Sequence, residues 1–84
     1  MVFTPKGWED YSYWQNTDRA TIRRINRLVE AALRDPAGGI GKPEALRHIL
    51  PGCWSRRIDD EHRLVYLVDG DDLVILPARY HYEP

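Results

Sequence analysis

The chain has 84 residues, 43% hydrophobic and 30% charged, with a formal net charge of −1. That predicts one domain (1–84), too charged for a membrane protein and lacking the run of ~20 apolar residues that a membrane span needs. A near-neutral total also argues against a bulk polyanion binder, which is basic overall.

The charge is uneven. Residues 1–36 carry +1, residues 37–58 carry +3 and residues 59–84 carry −5. Only a local patch can therefore meet nucleic acid, with modest affinity from charge alone. Cys53 is the sole cysteine, so no internal disulfide forms. His48, His62 and His81 lack ligand spacing, so we assign no metal and no cofactor. Met1-Val2-Phe3-Thr4 has neither the basic nor the apolar stretch of an export leader, and a reducing cytoplasm is expected.

In chain order, the opening residues read as a short strand. Thr4-Pro5 reads as a helix cap followed by a first-turn proline. The first helix then carries Trp8, Tyr11 and Trp14 to about Gln15, with Gly7 weakening its start. That aromatic stripe is expected to be core. Thr17 or Asp18 caps a second helix reaching Leu33 or Arg34. Its Ile22, Ile25, Leu28, Val29, Ala32 and Leu33 recur at helical spacing. Arg23, Arg24 and Arg27 read as its solvated face.

Asp35-Pro36 stops that helix, and Gly38, Gly39 and Gly41 read as a flexible connector. Residues 44–50 are ambiguous between strand and helical turn. Three strands follow: Cys53–Ile58, His62–Val68 and a last one from Leu73 through Tyr82. Short turns between them predict an antiparallel meander. The fold class is therefore α+β: a short N-terminal strand, two helices, then an antiparallel meander sheet with the helices packed on one face.

Chemistry is expected on the other face. Alternation places Cys53, Ser55 and Arg57 together on one strand. It likewise groups Arg63, Val65 and Leu67, and Arg79 with His81. It does not say which of these faces coincide. The tail Arg79-Tyr80-His81-Tyr82 packs a guanidinium, an imidazole and two phenols into four residues. Those groups suit acid–base work on a phosphate.

Four segments carry a resemblance. Trp8-Glu9-Asp10-Tyr11-x-Tyr13-Trp14-Gln15-x-Thr17-Asp18 resembles the first helix of the YoeB/Txe toxins, among the RelE-like ribosome-dependent messenger RNA interferases. Gly41-Lys42-Pro43-Glu44-x-Leu46-Arg47-His48 resembles their central motif. Trp54-Ser55-Arg56-Arg57-Ile58-x-x-Glu61-His62-Arg63-Leu64-Val65-Tyr66 resembles the strand pair after it. Arg79-Tyr80-His81-Tyr82 resembles their C-terminal signature.

The resemblance implies the toxin of a bacterial type II toxin–antitoxin pair that cuts mRNA in the ribosomal A site. The cut would be metal-independent transesterification by the ribose 2′-hydroxyl. By the same resemblance Glu44, Arg63, His81 and Tyr82 are catalytic, with Arg47 and Arg57 as supporting basic residues. Lys42 joins them as an RNA contact. The implied partners are the ribosome with its mRNA, a YefM-like antitoxin and a second copy in a homodimer. Arg47 stands where well-known members carry lysine, and Glu83-Pro84 extend past the usual terminal tyrosine.

Such a cut needs a base for the 2′ proton, positive charge for the phosphorane oxygens and an acid for the departing 5′-oxygen. Glu44, the only acid in the basic segment 37–58, suits the base. His81 suits the acid, because a reference imidazole titrates near 6.5. Arg63, with Arg57, suits the phosphate clamp. Tyr82 suits phosphate orientation or base stacking.

On pattern alone the bland readings are the expected ones. Glu44 would be a solvated loop acid, Arg63 a partner of Asp60 or Glu61, and His81 an idle terminal residue. Two rival functions share the fold: a gyrase poison acting by protein binding, and a degenerate, non-catalytic antitoxin partner.

Overall fold

The computed structural model describes residues 1–48 and 50–79. Strand β1 (Val2–Phe3) leads into helix α1 (Pro5–Thr17) and helix α2 (Arg19–Arg34). Strands β2 (Glu44–Ala45), β3 (Cys53–Arg57), β4 (Arg63–Asp69) and β5 (Asp72–Ile75) complete a sheet of order β1-β5-β4-β3-β2.

The helix boundaries follow from their caps. Thr4 Oγ1 accepts from the Gly7 N–H at 3.0 Å, one of the donors a helix start leaves open. Asp18 ends α1 and starts α2. Its N–H returns to Trp14 O, and its Oδ1 accepts from the Ala20 and Thr21 N–H groups. Those bonds hold the Asp18 carboxyl below its usual range.

The meander β3–β4–β5 is antiparallel as expected, but the sheet as a whole is mixed. β1 joins its edge parallel to β5, Val2 opposite Val74 and Phe3 opposite Ile75. The ambiguous segment 44–50 realises both options in turn. Glu44–Ala45 pairs with β3, and the chain then makes one helical turn closed by Leu50 N–H to Leu46 O at 3.0 Å.

The expectation that the last strand runs through Tyr82 is corrected: its regular ladder stops at Ile75. Leu76 N–H donates to Val65 O, and Val65 N–H donates to Pro77 O, both at 2.8 Å. Two residues thus oppose one, a β-bulge at a proline that has no N–H for the ladder. Simple alternation therefore ends before Arg79.

Both helices pack on one sheet face. Trp14, Ile25, Leu28, Val29 and Ala32 meet Leu64, Tyr66, Leu73 and Ile75 there. Trp8 departs from the expected core stripe. It is 55% exposed, stacked near Tyr11 and edge-on to Phe3. The opposite sheet face is half apolar, with Leu46, Cys53 and Val65 buried beneath Leu50, Leu67 and Leu76. Burial pushes the Cys53 thiol up.

Candidate active site on the open sheet face

The other half of that face is polar, and register builds it. Glu44 lies opposite Ser55, Ser55 opposite Val65 and Arg57 opposite Arg63. The faces of β3 and β4 that alternation left unrelated are one face, and Glu44 of β2 joins it. Arg63 Nη1 lies 3.6 Å from Glu44 Oε2 and donates to Ser55 Oγ at 3.3 Å. Two residues expected to be catalytic, 19 positions apart in the sequence, are thus brought together. Arg57 Nη2 reaches Asp60 Oδ1 at 3.4 Å.

The loop before β2 is pressed onto β3. Gly41 O accepts from the Arg57 N–H at 2.7 Å. Gly41 has φ +86°, and a Cβ there would stand 2.6 Å from Leu28 Cδ2 and 3.1 Å from Arg56 Cβ. Glycine is required for both reasons. The segment is a tight packing contact, not the loose connector its composition suggested.

A cleft of about 300 Å³ shares Arg57 with this face and is otherwise lined by Arg24, Gly41, Lys42, Ile58, Asp59 and Asp60, without Glu44 or Arg63. Lys42 and Arg57 share this cleft. Arg47 lies apart from its lining, exposed in the turn after β2. His81 and Tyr82 lie outside the described residues. Among the described residues, no three His, Cys, Asp or Glu side chains gather into a cation-binding cluster.

Three charged residues do work that sequence reasoning missed. Arg24, read as solvated, donates to Arg57 O at 3.1 Å and lines the cleft. Arg56 is fully buried and structural. It donates to Tyr66 Oη (2.9 Å), Ile40 O (2.7 Å) and Asp35 O (2.7 Å). Tyr66 Oη in turn donates to Pro36 O at 2.6 Å, and burial raises its phenol. Together they tie segment 35–40 to the sheet beneath Gly41.

Asp10 is the third, with no exposed surface. A signal for it existed: Gly7, Asp10 and Trp14 recur at three and four residues, the spacing of one helix face. The model for the YoeB-like toxin of bacterial type II toxin–antitoxin systems matches residues 3–82.

The chain belongs to the YoeB-like toxin family. It is 57% identical to Toxin YoeB of Streptomyces coelicolor over 98% of each chain. A solved YoeB/ParE toxin from Agrobacterium tumefaciens superposes with a TM-score of 0.92 at 46% identity, over 96% of each chain. Two Staphylococcus aureus structures, each covering 96% of this chain and 94% of theirs, also match. A YoeB dimer does so with TM-score 0.89 at 46% identity, and a YoeB–YefM complex with TM-score 0.89 at 44%. The YoeB fold of two helices on a five-stranded sheet is thus the frame on which Glu44 and Arg63 meet. No helix among the described residues is long and apolar enough to cross a membrane.

Proposed function

We infer that this YoeB-family toxin is a ribosome-dependent endoribonuclease that cuts mRNA in the A site through the ribose 2′-hydroxyl. One observation carries the reading: Arg57 and Arg63 face each other across β3 and β4, with Glu44 3.6 Å from Arg63. Like charges opposed across an antiparallel pair cost stability. A phosphate bound between them converts that repulsion into attraction.

Glu44 takes the 2′ proton. Arg63, supported by Arg57, neutralises the charge building on the phosphorane oxygens. His81 protonates the 5′-oxygen, and Tyr82 orients the phosphate. Lys42 and Arg47 hold the flanking backbone. Departure of the 5′-oxygen leaves a 2′,3′-cyclic phosphate and a 5′-hydroxyl, with no metal taking part. The reaction belongs to the cytoplasm, where the ribosomes are. The YoeB–YefM and dimer structures of relatives support a YefM-like antitoxin that silences the site, and a homodimer.

Primer extension on a translated message after induction tests this. Breaks are expected at A-site codons, absent for Glu44→Gln and His81→Ala. Full growth arrest by both variants would remove the acid–base assignment. Gyrase-dependent DNA damage without mRNA breaks would overturn the enzyme reading.

A further inference from the structure

Beyond the bulge the chain is gripped by α1. Asp10 Oδ2, wholly buried, accepts the Ala78 N–H at 3.0 Å. The Trp14 indole N–H donates to Ala78 O at 2.8 Å. Both polar groups of one residue are thus taken by side chains of a single helix, 64 and 68 positions away. Lys6 closes on Asp10 Oδ1 at 3.0 Å. The next residue, Arg79, lays its guanidinium over the Tyr13 ring, 3.8 Å from the centroid.

A buried carboxylate is costly unless paired, and an unbulged strand would have no use for it. At the bulge the sheet ceases to supply regular partners, and α1 supplies them instead. Ala78 stands three positions before His81 in the sequence. The backbone held by α1 is therefore the point from which the His81-Tyr82 pair departs.

We propose that Asp10, Tyr13 and Trp14 are positioning residues for RNA cleavage, fixing the chain at Ala78-Arg79 so that the tail acts from a set origin. This rests on the catalytic reading of His81. Tyr13 gives the cleanest test, because it is 40% exposed and meets the core only edge-on at Trp14.

Single-turnover cleavage on mRNA-programmed ribosomes is measured for Tyr13→Ala, Tyr13→Phe, His81→Ala and the Tyr13→Ala/His81→Ala double variant, using full-length protein. Tyr13→Ala is expected to lower the maximal rate about tenfold at unchanged half-saturating ribosome concentration. Tyr13→Phe, which keeps a ring under Arg79, restores it. The double variant loses less than the product of the two single losses, because residues acting as a unit are non-additive and only Tyr82 is left for the set origin to serve. An unchanged rate for Tyr13→Ala beside a crippled His81→Ala overturns the positioning role alone. So does a multiplicative loss in the double variant, or a loss confined to half-saturation. An unimpaired His81→Ala overturns the catalytic reading and the positioning role with it.

Discussion

Arg63 carries the heaviest chemical demand of any described residue. Its Nη1 alone reaches both Glu44 and Ser55. Lysine would keep the charge but not the planar fork that matches two phosphate oxygens. We predict that Arg63→Lys cuts the cleavage rate about 10–100-fold at preserved melting temperature, readable by single-turnover assay beside a thermal melt. Near-wild-type cleavage would mean that charge alone suffices.

Asp59 offers a separate residue-level prediction. Burial raises its carboxyl, but hydrogen bonds from the His62 ring and the His62 and Glu61 N–H groups outweigh it, and the net displacement is downward from 3.8. A folded value below the unfolded one stabilises above the unfolded value and is lost as pH falls through the folded one. Asp59→Asn should therefore lower stability at pH 7, by under ~1 kcal/mol after solvent screening. The gap to wild type should close in strong acid, once pH has fallen through the folded value. Parallel denaturant titrations at pH 7 and in strong acid measure it, and a gap that widens in acid would reverse the sign.

At the scale of elements, α1 and β5 meet at Gly7. A Cβ there would stand 2.3 Å from Ile75 O and 2.6 Å from Leu76 O, both backbone atoms that cannot swing aside. Elsewhere in a helix Gly→Ala gains up to ~1 kcal/mol. Here overpacking dominates, so Gly7→Ala should destabilise by ~1–3 kcal/mol. A melting temperature lower by roughly 5–15 °C is the expected readout, and a rise would show that α1 can withdraw freely.

The same junction shows what the sequence discloses. α1, α2 and the β3–β4 hairpin were legible, since Thr4, Asp18, the helical apolar repeat and alternation are local signals. β1 was legible as a short opening strand, but its parallel pairing with β5 was not, and β2 stayed undecided between strand and helical turn, because each is two residues long and is defined by a remote partner. The bulge was hidden for the same reason. Pro77 hints at it, but only the bonds to Val65 define it. Within the site, residue types and the family resemblance nominated Glu44 and Arg63, while their meeting required register, which alternation leaves free. Asp10 drew no reading of its own, because Ala78, the partner that gives its burial a reason, is distant in sequence.

Over the whole molecule, charge is segregated from its total. The proposed RNA contacts Lys42, Arg47, Arg57 and Arg63 fall within 22 consecutive residues of a chain whose net charge is −1. An acid-rich final third repels the rest of a polyanion, so attraction cannot be spread over the surface. Salt dependence reads this directly. Four phosphates neutralised on single-stranded RNA, at ~0.7 each, give a log–log slope of about −3. A broadly basic binder would fall far more steeply. We predict such a shallow slope for association with mRNA-programmed ribosomes, falling by ~0.7 for Lys42→Ala. For Arg23→Ala, exposed on α2 and outside the cleft lining, it should not change. Loss of slope in Arg23→Ala would place the RNA on the helix face. A Lys42→Ala protein with undiminished slope would take the cleft out of the contact, and the phosphate would then have to lie over Arg63 and Glu44 alone.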